Sequence, residues 1–305
     1  MTGEIVILGV FVADTAYRAD RQARLGETIL GNGFDLGPGG KGSNQAVAAA
    51  RAGAAAHFIT RLGRDPFADM ALDTWAGAGV IPQVIHDPDR PTGAASIFVQ
   101  EGTGENAIII CPGAGDAISA ADVEAHRALI EGAAVFMTQL EQPVEAALKG
   151  LEIARAAGVT TILNPAPAAP LPDALLALCD YVPPNESEVE ALTGTIVTGR
   201  DDAARAAQVL RARGVGRVVI TLGEKGAFYQ DEGGAMLVPA FSPGRVVETT
   251  GAGDAFNGGF AAGLARGMLP VEAVRFGCAA AALSVTRPGT ARAMPSLTEI
   301  EDLLR

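Results

Sequence analysis

The sequence predicts an α/β fold, with a mostly parallel central sheet, helices on both of its faces, and a small β-rich lid. Apolar β-type runs alternate with amphipathic helical patterns along most of the 305 residues, which is typical of strand–helix–strand units. The strand patterns are apolar almost throughout, as in a sheet that is buried on both faces. Two segments break the alternation, and we place them outside the central sheet.

The expected elements of the central sheet follow one another in a regular order. The strands are residues 4–12, 56–61, 134–138, 160–163, 180–182 and 217–222. The helices between them are residues 43–52, 66–76, 121–131, 143–157, 186–192 and 201–213, and residues 253–287 are almost all helix. Because ligands of such sheets bind beyond the carboxyl ends of the strands, we expect the functional residues there.

The two irregular segments predict the lid. Residues 14–37 are polar and rich in glycine, with little helical period. Residues 92–111 are typical of a hairpin, with strands at 92–100 and 106–111 around a turn at 101–105. We therefore expect a single domain over residues 1–305, with lid insertions at about 14–37 and 92–111.

Composition excludes several classes of protein. The formal net charge is −12, so a general binder of nucleic acid or of an anionic membrane surface is not expected. Cys111, Cys179 and Cys278 lie far apart, which favours reduced thiols and a cytoplasmic location over a disulfide framework. No apolar run reaches the ~18–20 residues of a membrane span, and the run at 5–13 follows Glu4, as expected of a buried strand.

The motif with the strongest chemical content is ETTGAGDAF at residues 248–256. An apolar pair precedes it and a helix of small residues follows it. Glycines at a helix start allow backbone N–H groups to converge on an anion, and the helix dipole adds to the attraction. Asp254 would lie in the first turn, close to a bound oxyanion. An ordinary acidic residue at a helix start after a glycine turn remains the alternative.

A second glycine-rich motif, GPGGKGSNQ, covers residues 37–45. It fails the P-loop pattern, because Asp35 stands at the position of the first glycine and Gly42 at the Ser/Thr position after the lysine. The glycines would allow a substrate to approach the backbone, with Lys41 and Asn44 directed toward it. The alternative is a flexible loop before a helix.

Two further motifs follow strands of the central sheet. Asn185 and Glu188 lie three apart at a helix start, where they could orient waters on Mg²⁺ or form a capping box, and the two roles are compatible. Thr221, Gly223 and Gly226 follow an apolar strand and could pack on a nucleotide, although an ordinary turn is the commoner meaning of such a pattern.

The sequence gives little support to other types of functional site. The third glycine of the dinucleotide-binding pattern is absent after Gly253. His57, His86 and His126 are isolated and have no metal-ligand spacing. There is no GxSxG motif of a nucleophilic serine.

Taken together, the motifs resemble those of the ribokinase-like family of carbohydrate kinases, also called the phosphofructokinase B family. The family's two signatures resemble residues 39–46 (GGKGSNQA) and 248–259 (ETTGAGDAFNGG). Further similar stretches are QLE at 139–141, LNPAPA at 163–168 and PNE at 184–186. The resemblance runs in order along nearly the whole chain.

The resemblance implies a ribokinase-like α/β sandwich with a lid, in which Mg-ATP phosphorylates a sugar hydroxyl. It implies Asp254 as the catalytic base and Gly251, Ala252 and Gly253 as an anion hole. The implied sugar-binding residues are Asp14, Gly40, Lys41, Asn44, Glu141 and Asp254. The implied nucleotide-binding residues are Asn185, Thr221, Gly223, Gly226, Gly253 and Cys278, with Asn185 and Glu188 serving Mg²⁺ through water. It also implies a homodimer formed through the lids.

Departures from the family pattern refine these expectations. Val12 stands where ribokinases commonly carry a sugar-binding Asn, which weakens the assignment of ribose. The implied monovalent-cation site comprises Glu248, Thr250, Ser284, Arg287 and Gly289. Glu248 replaces the usual Asp there, and Ala293 replaces a Ser, so we expect K⁺ to activate weakly. Because Asp254 lies at a helix N-terminus, we also expect its pKa to be lowered.

Two alternatives to a sugar kinase remain open. A nucleoside or other small-alcohol kinase of the same fold would need apolar or aromatic surface for a base, and only 5% of the residues are aromatic. A sugar-binding regulator that has lost catalysis would not need the Gly253-Asp254 pair.

Overall fold

The computed structural model describes residues 3–305 as two sheets surrounded by helices. The strands are β1 (Glu4–Leu8), β2 (Val12–Ala19), β3 (Gly33–Gly39), β4 (Ala55–Leu62), β5 (Ile81–His86), β6 (Gly93–Gln100), β7 (Asn106–Cys111), β8 (Val135–Thr138), β9 (Thr160–Leu163), β10 (Tyr181–Val182), β11 (Arg217–Thr221), β12 (Ala227–Gln230) and β13 (Ala235–Val238). The helices are α1 (Lys41–Arg51), α2 (Pro66–Ala78), α3 (Ala120–Ala125), α4 (Arg127–Glu131), α5 (Val144–Ala156), α6 (Asp173–Leu176), α7 (Glu186–Thr193), α8 (Arg200–Ala212), α9 (Ala252–Ala265), α10 (Pro270–Ser284) and α11 (Leu297–Leu304).

The large sheet confirms the predicted mostly parallel architecture. Its strand order is β13-β12-β11-β10-β9-β8-β1-β4-β5. Every pairing from β5 to β11 is parallel, and β12 and β13 extend the edge in antiparallel fashion. The parallel strands therefore direct their carboxyl ends to the same edge, where a ligand site is expected.

Alternate side chains of β1 enter two separate hydrophobic cores. Ile5 and Ile7 pack with side chains of α1, α2, α9 and α10 on one face. Val6 and Leu8 pack with side chains of α5, α7 and α8 on the other face. Because successive residues of a strand point to opposite sides, this division places helices on both faces of the sheet, as predicted.

The second sheet is the small lid and has the strand order β3-β2-β6-β7. β2 pairs with β3 in antiparallel and with β6 in parallel fashion, and β6 and β7 form the antiparallel hairpin. Its outer strands leave large apolar side chains exposed, among them Phe34, Ile109 and Ile110. The predicted β-rich lid outside the main sheet is therefore present.

The predicted strand at residues 4–12 is wrong in its length. β1 ends at Leu8, and Val12 begins β2 of the lid, opposite Gly39 and Gly93. At Gly9 the backbone is so crowded that an added Cβ would lie 2.8 Å from the Cα atom of Gly42. The chain leaves the central sheet here, although its apolar pattern continues through both strands.

One predicted helix is also divided. The pattern at 121–131 forms α3 and α4, which meet at His126. No helix within residues 3–305 is both long and apolar enough to span a membrane.

Candidate active site

A polar pocket opens at the carboxyl edge of the central sheet. Its lining residues come from the starts of α1, α7 and α9, from α9 itself, from the end of β11, and from the segments after β9 and β10. They are Lys41, Asn164, Ala166, Pro183, Asn185, Glu188, Thr221, Gly251, Gly253, Asp254 and Asn257. The fold thus brings together residues from both signature motifs, which lie more than 200 positions apart in the sequence.

The start of α9 presents free backbone donors to this pocket. Gly251 is the N-cap residue, with φ 78°, and no side chain caps the helix. The N–H groups of Gly253 and Asp254 donate to no acceptor within residues 3–305, whereas the Ala252 N–H donates to the Thr249 carbonyl at 3.2 Å. A helix start with unsatisfied donors is suited to bind an anion.

Asp254 lies in the first turn of α9 and is only 8% exposed. Its Oδ2 accepts a hydrogen bond from Asn44 Nδ2 at 3.1 Å, and its Oδ1 accepts one from Gln45 Nε2 at 3.0 Å. Burial raises the pKa of Asp254, while Lys41 and the two amides oppose the rise. The predicted lowering of this pKa is therefore wrong, because the helix start is buried deeply enough for desolvation to dominate.

The start of α1 lies beside Asp254 and holds three of the expected sugar-binding residues, Gly40, Lys41 and Asn44. Gly40 adopts φ 86°, and an added Cβ would lie 2.5 Å from the Val10 carbonyl oxygen. The backbone N–H of Lys41 donates to Glu141 Oε2 at 2.7 Å. These contacts bring the glycine motif and the segment after β8 to one place.

Two carboxyl groups among the expected sugar-binding residues have raised pKa values. Burial raises the pKa of Glu141 to about 7, and Lys41 opposes this rise. Burial also raises the pKa of Asp14 to about 6. Asp14 lies in β2 close to Gly39, where an added Cβ would lie 2.2 Å from its carboxylate.

Val12, two residues earlier on the same face of β2, is 6% exposed and packs in an apolar cluster.

Asn185 and Glu188 form the capping box that was one of the two predicted roles. Glu188 N–H donates to Asn185 Oδ1 at 2.8 Å, and Asn185 returns bonds from its own N–H at 2.9 Å and from Nδ2 at 3.0 Å to Glu188. Both side chains also line the pocket. Burial raises the pKa of Glu188.

The expected nucleotide-binding residues are only partly gathered in this pocket. Thr221 lines it, and its N–H donates to the Pro184 carbonyl at 2.9 Å. Gly223 and Gly226 lie in the turn after β11, with φ values of 53° and 100°, and Cys278 is buried in α10. None of these last three lines the pocket.

The residues of the expected cation site lie on two adjacent segments. Glu248 Oε2 accepts the Gly289 N–H at 2.8 Å, and the Val285 carbonyl accepts the N–H of Glu248 at 3.2 Å. Ser284 Oγ donates to the carbonyl of Ala281 within α10, and the Arg287 side chain pairs with Glu299. Thr250 is exposed, and Ala293 is buried and has no hydroxyl to offer.

Comparison with known proteins identifies the family. A family profile described as pfkB family carbohydrate kinase matches residues 3–297. The chain belongs to this family. It is therefore a carbohydrate kinase, and the prediction of an ATP-dependent sugar kinase with a ribokinase-like fold is confirmed.

Individual members of the pfkB family are similar over their full lengths. The ribokinase of Haemophilus influenzae is 38% identical over 305 residues, which cover 100% of this chain and 99% of that protein. The deoxyribokinase of Salmonella typhi is 33% identical, with 99% of this chain and 98% of that protein covered. The solved structure of Arabidopsis thaliana ribokinase complexed with ribose and ATP matches with a TM-score of 0.94 at 31% identity, covering 100% of this chain and 99% of that one.

Sequence reasoning missed four buried polar residues in or behind the pocket. It assigned no role to Asn164 and Asn257, which line the pocket, or to Gln45 and Gln139, which lie behind it. A signal was available for Asn164, because it directly follows β9 at the carboxyl edge of the sheet. Gln45 lay within the glycine motif, but nothing in the pattern shows that its side chain turns inward to Asp254.

Proposed function

We propose that this kinase transfers the γ-phosphoryl group of Mg-ATP to the 5-hydroxyl of a pentose, either D-ribose or a 2-deoxy-pentose. The observation that carries the proposal is the position of Asp254. Its buried carboxylate lies between the open start of α9 and the sugar-side groups of α1. Relatives named ribokinase and deoxyribokinase, similar over the full chain, support both sugars.

Asp254 is proposed to accept the proton of the attacking hydroxyl. Its raised pKa makes it a better base than an exposed aspartate, while Lys41 favours its ionised form. Phosphoryl transfer passes through a loose transition state, so the proton is transferred late and positioning dominates. The free N–H groups of Gly253 and Asp254, with Gly251 shaping the turn, would stabilise the negative charge on the transferred group.

The sugar is proposed to lie between the lid and the start of α1. Asp14 and Glu141 would accept hydrogen bonds from its hydroxyl groups, and Lys41 and Asn44 would donate to them. Gly40 shapes the turn before α1, since its φ of 86° and the nearby Val10 carbonyl leave no room for a side chain there. The part of the site next to Lys41 and Asp254 is lined by no aromatic residue, which supports a sugar rather than a nucleoside as the acceptor.

The nucleotide is proposed to bind on the side of Thr221, Gly223, Gly226 and Cys278, with its phosphates toward α9. Within residues 3–305 no group of three or more His, Cys, Asp or Glu side chains could cage a metal. One carboxylate and one amide, Glu188 and Asn185, nevertheless fit Mg²⁺ that keeps its waters and is held mainly by phosphates. When bound, Mg²⁺ would neutralise charge on the phosphates.

Potassium is proposed as a weak activator. Backbone carbonyls near Ser284, Arg287 and Gly289, together with Glu248 and Thr250, supply oxygen atoms of the type that suits a monovalent cation. Glu248 already accepts a hydrogen bond from the Gly289 N–H, and Ala293 supplies no hydroxyl. These two features support weak activation.

The proposal includes a homodimer in the cytoplasm. Large apolar side chains are exposed on the lid, including Ile108 at 51%, Ile109 at 66% and Ile110 at 60%. A second copy that covered them would remove this apolar surface from water. All three cysteines are free, which is compatible with a reducing compartment.

The sugar is tested by a coupled ADP-release assay with ribose, 2-deoxyribose, ketohexoses and nucleosides. The side chain of Val12 cannot form hydrogen bonds, so a sugar hydroxyl facing it would lose its water at a cost of about 1–3 kcal/mol. We expect ribose to be phosphorylated and a 2-deoxy-pentose to match or exceed it in kcat/KM.

Val12→Asn is the matched variant for this assay, and we expect it to favour ribose over deoxyribose more than the natural chain does. If ribose exceeds deoxyribose by more than about tenfold and Val12→Asn does not improve ribose, Val12 does not tune the specificity. Turnover of nucleosides but of no sugar would overturn the proposed function.

A further inference from the structure

A chain of buried side-chain amides lies directly behind Asp254. Gln45 Nε2 donates to Asp254 Oδ1 and to Asn164 Oδ1, each at 3.0 Å. Gln139 Nε2 donates to Gln45 Oε1 at 2.6 Å. Gln45 and Gln139 are both 0% exposed, and neither lines the pocket. They therefore reach the substrate only through Asp254 and Asn164.

The direction of each amide in this chain follows from a backbone carbonyl at its end. Asn164 Nδ2 donates to the Pro183 carbonyl, which can only accept, so Asn164 Oδ1 must face Gln45. Gln45 must then present its NH₂ group to Asn164 and, on the same side, to Asp254. Its Oε1 consequently faces Gln139, which presents its own NH₂ group in turn.

We propose that Gln45 is a positioning residue for Asp254, and that Asn164 and Gln139 hold its amide in the orientation that donates to the carboxylate. This inference rests on the proposed role of Asp254 as the base. Asn44 donates to Oδ2 and Gln45 donates to Oδ1, so each carboxylate oxygen has one fixed donor and keeps lone pairs with which it would accept from the acceptor hydroxyl.

The amide chain also opposes the effect of burial on Asp254. Lys41 is the cation that favours the ionised carboxylate, and Glu141 and Glu188 are the nearby acids that disfavour it. A hydrogen bond to the charged form stabilises that form, so removing the Gln45 donor raises the pKa of the base. The acid limb of a plot of kcat against pH should report this change.

The test compares Gln45→Leu with the natural chain across pH, using ribose and Mg-ATP. We expect kcat to fall by about 10- to 100-fold, with the KM for ATP changed by less than about threefold. We also expect the acid limb to move to higher pH. If Gln45 only supported the fold, its replacement would lower the thermal stability without moving the acid limb of the kcat–pH plot.

Two further variants separate the possible causes. Gln230→Leu removes a buried amide from β12 opposite Val218, at the end of β11 away from the pocket, and should leave kcat and the acid limb unchanged. Asp254→Asn tests the underlying role: if it stays active, the proposed base fails and this inference falls with it. If Asp254→Asn is inactive while Gln45→Leu keeps the natural acid limb, only the positioning role is overturned.

Gln139→Leu decides the question if Gln45→Leu does not fold. It leaves both donors to Asp254 in place and removes only the bond that orients the Gln45 amide. We expect a smaller loss of kcat and a shift of the acid limb in the same direction. An unchanged acid limb would show that Gln139 does not orient Gln45.

Discussion

The starts of α7 and α9 face the same pocket but satisfy their backbone donors in opposite ways. At α7 the side chain of Asn185 accepts the Glu188 N–H, and Glu188 returns the bond, so this helix start is closed by its own residues. At α9 the N-cap is Gly251, no side chain caps the helix, and the Gly253 and Asp254 N–H groups are free. One pocket is thus faced by a helix start that its own side chains cap and by a helix start whose free donors are suited to an anion.

The largest effect is expected when the open helix start is disturbed. Gly251→Ala places a side chain at φ 78°, which costs about 1–2 kcal/mol and should displace the free donors. We expect kcat to fall by about 100-fold, the typical loss when one such donor is removed. Steady-state kinetics and thermal unfolding measure the two effects separately.

Gly194→Ala is the matched control, because Gly194 ends α7 at φ 72° with open space around it. It should lose similar stability and keep its kcat. Equal kcat values for the two variants would show that the start of α9 does not act on the phosphoryl group.

A smaller effect is expected at the closed helix start. Asn185→Ala removes the cap and should lower the stability by about 1 kcal/mol, whereas Asn185→Ser keeps an acceptor for the Glu188 N–H. If Asn185 also orients waters on Mg²⁺, both variants should require about tenfold more Mg²⁺ for half-maximal rate. A Mg²⁺ dependence for Asn185→Ser equal to that of the natural chain would leave Asn185 with its capping role alone.

The smallest effect is expected at the segment that precedes α9. We compare kcat/KM in potassium and in tetramethylammonium buffers of equal ionic strength, and expect K⁺ to activate by at most about fivefold. Glu248→Asp should increase this activation, because it restores the shorter carboxylate of the family pattern. If neither the natural chain nor Glu248→Asp responds to K⁺, the proposed cation site does not exist.

The open start of α9 could be predicted from sequence because its cause is local. The short run Gly-Ala-Gly-Asp determines the turn, leaves the backbone donors free and places Asp254 in the first turn of the helix. The amide chain could not be predicted, because Gln45 and Gln139 are 94 positions apart and meet only in the folded protein. For the same reason the pKa of Asp254 was predicted in the wrong direction, since its burial depends on α1 as well as on α9.

The boundary between β1 and β2 shows a different limit. Residues 5–13 are continuously apolar, because β1 is buried in the central sheet and the start of β2, in the lid, is buried as well. Hydrophobicity alone cannot locate the break between two buried strands that follow each other directly. The crowding around Gly9, which marks the break, comes from Gly42 and Gln139, both distant in sequence.

The role of Asp254 is tested most directly by kcat for ribose phosphorylation in Asp254→Asn, with ATP binding measured by calorimetry on the same sample. Asn keeps the size of the side chain but cannot accept the proton. We predict that kcat falls by at least about 100-fold, the low end of general-base catalysis, while ATP still binds. A kcat within about threefold of the natural chain would contradict the assignment of Asp254 as the base.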